Sequence, residues 1–222
     1  RGYPSVPRDE LFRQVKALYE RRIPVAIHCN GDASIEDGLD AIEAAMAAHP
    51  WPEARPLIIH AQMTRKDQID RMAELGVTPS FFSAHTYYWG DRHAAIFMGR
   101  ERAANMSPAR WALDAGVRFS SHLDTPVTPM LPLQAVWSQV ERESTGGAVI
   151  GPAQRIGRMP ALRAVTIDAA WQVFMDDEIG SIEPGKRADL VVLSENPLTA
   201  EDIRGIKVDR TVIDGATVYA RL

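Results

Sequence analysis

The 222-residue chain has six histidines, and several of them stand where a run of apolar residues ends. "VAIHCNGD" brings His28, Asn30 and Asp32 to one such end, "LIIHAQ" brings His60, and "GVRFSSHLD" brings His122 and Asp124. "SAHTYYWGD" follows another apolar run with His85, Tyr87, Tyr88, Trp89 and Asp91. Imidazole and carboxylate together suit zinc and related divalent ions. One histidine at a strand end is ordinarily a hydrogen-bonded structural residue. Two strands ending apolar-apolar-His, with an aspartate on a third, favour ligands. Asp32 is expected to cap the helix that follows it or to steady His28 as a hydrogen-bonded partner, in preference to ligating a metal directly. The aromatic cluster Tyr87, Tyr88 and Trp89 is expected in a loop, where it lines a substrate pocket or pins the loop itself. Arg100 and Arg102 are expected at the surface, although an arginine near a pocket can clamp a carboxylate. His49 suits a helix end, and His93 is expected at the surface. Cys29 faces away from His28, because strand side chains alternate.

These residues need a frame that presents strand ends together. Short apolar runs at 23–29, 56–62, 76–82 and 116–124 read as strands, each entered from a helix-like segment. The helices are expected over 8–22, 34–49, 65–75 and 108–115, with Ser34 and Thr64 as N-caps and Gly76 and Gly116 as stops. Alternating strands and helices predict a parallel sheet, and nearly continuous apolar strands predict burial on both faces. Ligands of such folds bind at the carboxyl ends of the strands, which is where His28, His60, His85 and Asp124 fall. From residue 160 the texture changes. A helix over 160–174 is followed by short strands with Gly, Pro and Asp-Gly turns. Asp214-Gly215 in "TVIDGATVY" is a hairpin turn, and 144–152 is expected to be a mobile loop. Four strand–helix units make half of an eight-stranded barrel.

At 45% hydrophobic and 24% charged residues, with a formal charge of -4, the composition is that of a globular protein without a basic footprint. Nucleic acid and membrane surfaces are therefore not expected partners, and no apolar run reaches the length of a membrane span. Cys29 is the lone cysteine, which excludes an internal disulfide and fits a reducing, cytoplasmic compartment. No secretory leader is visible, although the chain begins at Arg1.

"VAIHCNGDASIEDGLDAIEAA", "IIHAQMTRKDQIDRMAELGVTPSFFSAHTYYWGDRH", "LDTPVTPMLPLQAV" and "GSIEPGKRADLVVLSENPL" closely resemble the C-terminal half of the amidohydrolase superfamily. Within it they are most similar to the YtcJ-like branch, amidohydrolase family 3, which includes N-substituted formamide deformylase. The resemblance implies an α/β fold: the C-terminal half of a (β/α)8 TIM barrel, strands five to eight, within residues 1–178. Part of a small β-sandwich then follows over 179–222. It implies one or two divalent metal ions, zinc first, with His28 and His60 as metal ligands and Asp124 as ligand or general base. His85 falls near the substrate; the aromatic Tyr88 and Trp89 are expected beside it, and Asp32 is a candidate hydrogen-bond partner behind the ligands. The reaction implied is hydrolysis of a C–N bond in a small-molecule amide, formamide, carbamate or cyclic amide.

Two features depart from the family pattern. "HLDTP" stands where Ser-Asp usually precedes Thr-Pro, so His122, on the same strand face as Asp124, either adds a hydrogen bond or fills space. The first-strand His-x-His pair and the fourth-strand lysine or carboxylate have no counterpart in the chain. An isolated half barrel is therefore expected to be inactive and to need a complementary N-terminal half or self-association. The alternative is a non-catalytic binding or structural module that has lost its metal. An organic cofactor finds no glycine-rich phosphate loop.

Overall fold

The computed structural model describes residues 3–222. Helix α1 (Arg8–Glu20) leads into strand β1 (Ala26–Cys29), and α2 (Asp32–Ala48), β2 (Leu57–His60), α3 (Lys66–Leu75) and β3 (Thr78–Phe81) follow. A longer excursion then runs through α4 (Ala84–Arg92), a π-helical turn (His93–Phe97), α5 (Arg100–Ala103) and α6 (Ala109–Asp114) before β4 (Ser120–Ser121). The four strands form one parallel sheet in the order β1-β2-β3-β4. Helices α7 (Pro132–Glu141), α8 (Arg158–Ala164) and α9 (Ile167–Gln172) come next. A second, antiparallel sheet is built from β5 (Leu190–Leu193), β6 (Val208–Ile213) and β7 (Ala216–Ala220).

The core lies between the parallel sheet and its helices. Ile35, Leu39 and Ile42 of α2 and Ile69 and Met72 of α3 close over Ile58 and Phe81. Gly38 lets α2 approach closely, since a Cβ there would lie 3.2 Å from Ile58 Cδ1 and 3.4 Å from Cys29 Sγ. The opposite sheet face is open at β1, the edge strand, where Ala26 and His28 are exposed. Burial on both faces holds for β3 but not for β1, because among the described residues β1 has a neighbour on one side only.

Several local expectations change. The N-cap of α2 is Gly31, and Ser34 instead donates its hydroxyl back to the Gly31 carbonyl at 2.8 Å. Arg65 rather than Thr64 caps α3. Gly76 ends α3 in the left-handed conformation, φ 66, which glycine adopts without steric cost. The single helix expected over 160–174 divides into α8 and α9. The aromatic cluster lies on helix α4, not in a loop. Segment 144–152 is tied down: Thr145 N–H donates to Tyr87 at 2.9 Å, Gly146 N–H to Asp91 at 3.1 Å, and Ile150 N–H to Arg142 at 2.8 Å. The Asp214-Gly215 turn joins β6 to β7, with φ of 50 and 79 as a two-residue hairpin of this type requires.

Candidate metal and substrate centre

The strand ends gather five histidines. His28 and His60 stand on adjacent strands with ring centroids 4.5 Å apart and planes at 80°. Register alone does not produce this pair. His28 is opposite Ile59, and His60 is opposite Cys29, whose thiol is buried among the helices. Alternation would send His60 the same way. Its backbone breaks the alternation at φ 70, a left-handed conformation uncommon outside glycine, and the imidazole turns to His28 instead. Such a conformation costs about 1–3 kcal/mol and persists where the surroundings enforce it. Here Ala61 N–H donates to Cys29 and Met63 N–H to Asn30, both at 3.0 Å, fixing the chain as it leaves β2. Asp124 likewise has a left-handed backbone, φ 54, and is exposed.

His60 is 4% exposed, and a hydrogen-bonded line runs away from it. Its Nδ1 lies 3.0 Å from His122 Nε2, His122 Nδ1 lies 2.9 Å from Ser80 Oγ, and Ser120 donates to Ser80 Oγ at 2.8 Å. Burial, with the neighbouring His60, pushes His122 down to about 4, and Asp124 opposes this. Burial and His28 hold His60 below its ordinary value against the same carboxylate. Both are neutral at neutral pH, the form in which imidazole binds metal.

Phe82 is the packing centre. His85 stacks on it at 4.2 Å and His122 at 5.4 Å, while Trp89 meets it edge-on at 6.1 Å. His85 has its Nδ1 buried without a partner. Burial, then His93, His60 and His122, pushes His85 down to about 3. Tyr88 and Trp89 pack on this cluster, whereas Tyr87 turns its ring to Trp137 at 5.4 Å. His93 is not a surface residue. The π-helical turn brings it 5.7 Å from His85, with Gln62 Nε2 3.0 Å from its Nε2. Ser80, Ser120 and Gln62 carry no sequence signal that separates them from ordinary strand and loop residues.

Asp32 is placed otherwise than expected. It is the first residue of α2, bonds the Ala33 amide at 2.9 Å and pairs with Arg102 at 3.1 Å. Among the described residues no imidazole bonds it, because the helix start directs it toward α5. Asn30 Oδ1 is instead the buried polar atom without a partner beside His28. Burial pushes the Cys29 thiol up to about 11, so it is no nucleophile.

The donor chemistry fits a divalent cation as part of a set. His28 and His60 are convergent imidazoles, and Asp124 lies close enough to act on the charge of His60. Among the described residues no group of three or more His, Cys, Asp or Glu side chains is placed to hold a metal ion.

The parallel sheet with ligand-type residues at its strand ends defines the class of the protein, and the sequence then places it: the chain belongs to the Amidohydrolase family, which it matches over residues 1–219. It is 34% identical to N-substituted formamide deformylase of Arthrobacter pascens over 201 residues, 90% of this chain and 37% of that protein. It is 26% identical to YtcJ of Bacillus subtilis (strain 168), covering 96% of this chain and 40% of that one. An uncharacterized metal-dependent hydrolase from Pyrococcus furiosus superposes with a TM-score of 0.72 at 25% identity, covering 89% of this chain and 39% of that one. The chain thus spans about 40% of the length of these three relatives. Among the described residues no helix is long and apolar enough to cross a membrane.

Proposed function

We propose that the chain is the C-terminal half of a metal-dependent amidohydrolase, with β1–β4 as strands five to eight of a TIM barrel. Residues 1–178 form the half barrel and 179–222 a segment of a β-sandwich. The observation that carries this reading is the convergence of His28 and His60 at the carboxyl ends of neighbouring strands. The two free edges of the sheet support a complementary N-terminal half, since exposed strand edges invite pairing. That half completes the ligand set.

His28 and His60 would hold a divalent cation, zinc first. When bound, it supplies a water activated near neutral pH. Asp124 would act as the general base, taking up a proton at its carboxylate and returning it to the leaving amine nitrogen. His85, neutral and facing an aromatic surround, donates its N–H to the scissile carbonyl oxygen. Tyr88 and Trp89 exclude water and seat an apolar substituent. For an N-substituted formamide, the substrate class named for the Arthrobacter relative, water adds to the formyl carbon, the C–N bond breaks, and the primary amine and formate leave. The cytoplasm is the proposed compartment.

The test is amine release from N-substituted formamides by the 222-residue chain alone and by the chain joined to its complementary half. Release only from the joined protein, abolished by Asp124→Asn, is the expected result. Equal rates from the isolated chain contradict the half-barrel proposal, and no release from either contradicts the hydrolase. The exposure of Asp124 is what favours the second reading, a module without catalysis. That reading gains if the joined protein binds formamides without cleaving them.

A further inference from the structure

We infer that Asp91 is a positioning residue: by holding the strap that follows α7, residues 144–151, it fixes the rotation of α4 and so turns His85 and Trp89 toward the site. That these two side chains then meet substrate rests on the proposed function; the rotation itself does not. Helix α4 is nine residues long and no side chain caps its start, and a helix this short is marginal without packing. Its orientation is therefore set by what it touches. Residues two apart on a helix point roughly 200° from each other, so His85 and Trp89 share one face, and Tyr87 and Asp91 lie on the other. The inward pair meets Phe82, His85 at 4.2 Å and Trp89 at 6.1 Å, with 5.0 Å between their own rings.

The outward face is tied to the strap along its length. The Tyr87 carbonyl accepts from Thr145 N–H at 2.9 Å. Gly90 lies against Ile150, where a Cβ would come within 2.8 Å of Ile150 Cγ1. Asp91 uses both carboxylate oxygens: Oδ1 accepts from the Ser144 hydroxyl at 2.8 Å and Oδ2 from Gly146 N–H at 3.1 Å. The strap is itself braced. Ser144 is 2% exposed, its Oγ accepts from Ala148 N–H at 3.1 Å, and its own N–H donates to the Ala148 carbonyl at 2.9 Å. A Cβ on Gly146 would stand 2.7 Å from Asp91 Oδ2, so the strap approaches the carboxylate as closely as glycine permits. With both oxygens bonded on the face away from His85 and Trp89, the carboxylate is an anchor and not a proton acceptor in the reaction.

Asp91→Asn separates an anchor from an acid–base group. Its amide oxygen can accept from Gly146 N–H, and its NH2 can donate to Ser144 Oγ, which has a lone pair left beside the one taken by Ala148 N–H. Asp91→Ala keeps neither bond. The first measurement is nuclear Overhauser spectroscopy on the 222-residue chain, reading the contacts of the Trp89 indole with the Phe82 and His85 rings. These should weaken severalfold in Asp91→Ala and Gly146→Ala and persist in Asp91→Asn, with circular dichroism unchanged. If Asp91→Ala fails to fold, Gly146→Ala, which leaves every hydrogen-bonding group in place, decides alone. The second measurement is hydrolysis of an N-substituted formamide by the chain joined to its complementary half. In Asp91→Ala, kcat/KM should fall by up to about 100-fold, as misplacement of groups at a site can cost, at unchanged zinc content, and Asp91→Asn should restore it. Ring contacts unchanged in Asp91→Ala overturn the inference. So does an Asp91→Asn protein as impaired as Asp91→Ala, which would make the carboxylate itself reactive. No hydrolysis by the unmodified joined protein counts against the hydrolase, and the ring contacts then decide the positioning.

Discussion

Arg142→Met is the most informative perturbation of the scaffold behind the site. Arg142 is 2% exposed, and its guanidinium donates to the carbonyls of Ile150 at 2.7 Å, Met106 at 2.8 Å and Ser107 at 3.3 Å. Burial, with the nearby Arg155, pushes its pKa down to about 10, so the charge persists at neutral pH. The side chain closes the strap after α7, and that strap bonds α4 through Tyr87 and Asp91. Methionine fills much of the volume but donates nothing. The Ile150 and Met106 carbonyls lose their partner, whereas Ser107 keeps the Ala109 N–H at 2.8 Å; at about 1.2 kcal/mol for each orphaned acceptor the loss is about 2.5 kcal/mol. The left-handed backbone at this position, φ 53, is shared by both side chains and cancels. With a urea slope of about 2.5 kcal/mol/M, the midpoint of unfolding should fall by about 1 M. Amide exchange at Thr145 and Ile150 should accelerate more than at Ile58 in the core. An unmoved midpoint would refute the premise that these carbonyls depend on the guanidinium.

Further outcomes follow from the same structure. Unfolded His85 titrates at the ordinary value and the folded residue at about 3, so between those values the unfolded chain binds the extra proton. Stability is then fully present above pH ~6.5 and falls on acidification by about 1.4 kcal/mol per pH unit from this residue. His85→Gln should flatten the pH dependence of the urea midpoint by that amount, and identical slopes would contradict the buried neutral imidazole. Gly151→Ala should abolish folding as judged by circular dichroism, because its Cβ would lie 1.7 Å from the Ala104 carbonyl oxygen at φ 63; a native spectrum would contradict this. Arg102→Ala removes a half-exposed ion pair with Asp32 and should change stability by about 1 kcal/mol or less. A larger loss in urea unfolding would give Asp32 a role that its position does not suggest.

The strand ends were legible because an apolar run halting at a histidine is visible in sequence. The geometry that brings His60 to His28 was not. The one-residue offset of His28 and His60 in the β1–β2 pairing and the left-handed turn at His60 depend on pairing across the sheet. The helix carrying Tyr88 and Trp89 was hidden by Gly90 and Asp91, which resemble breakers. Gly90 is helical, and a Cβ there would lie 2.8 Å from Ile150. Asp91 is taken up by Ser144 and Gly146. Tertiary contact overrode local preference at both positions. His93 was hidden by a π-helical turn, whose shifted period no amphipathic pattern announces, although such turns recur at functional sites. Ile96 and Phe97 on the same turn are 70% and 65% exposed.

The most direct test of the account is the zinc content of the protein joined to its complementary barrel half, measured by plasma mass spectrometry after dialysis. Zinc retained by the unmodified protein and lost from the His28→Ala, His60→Ala double variant is the predicted result. Zinc absent from the unmodified protein after growth with added zinc, or held equally by the double variant, would contradict it.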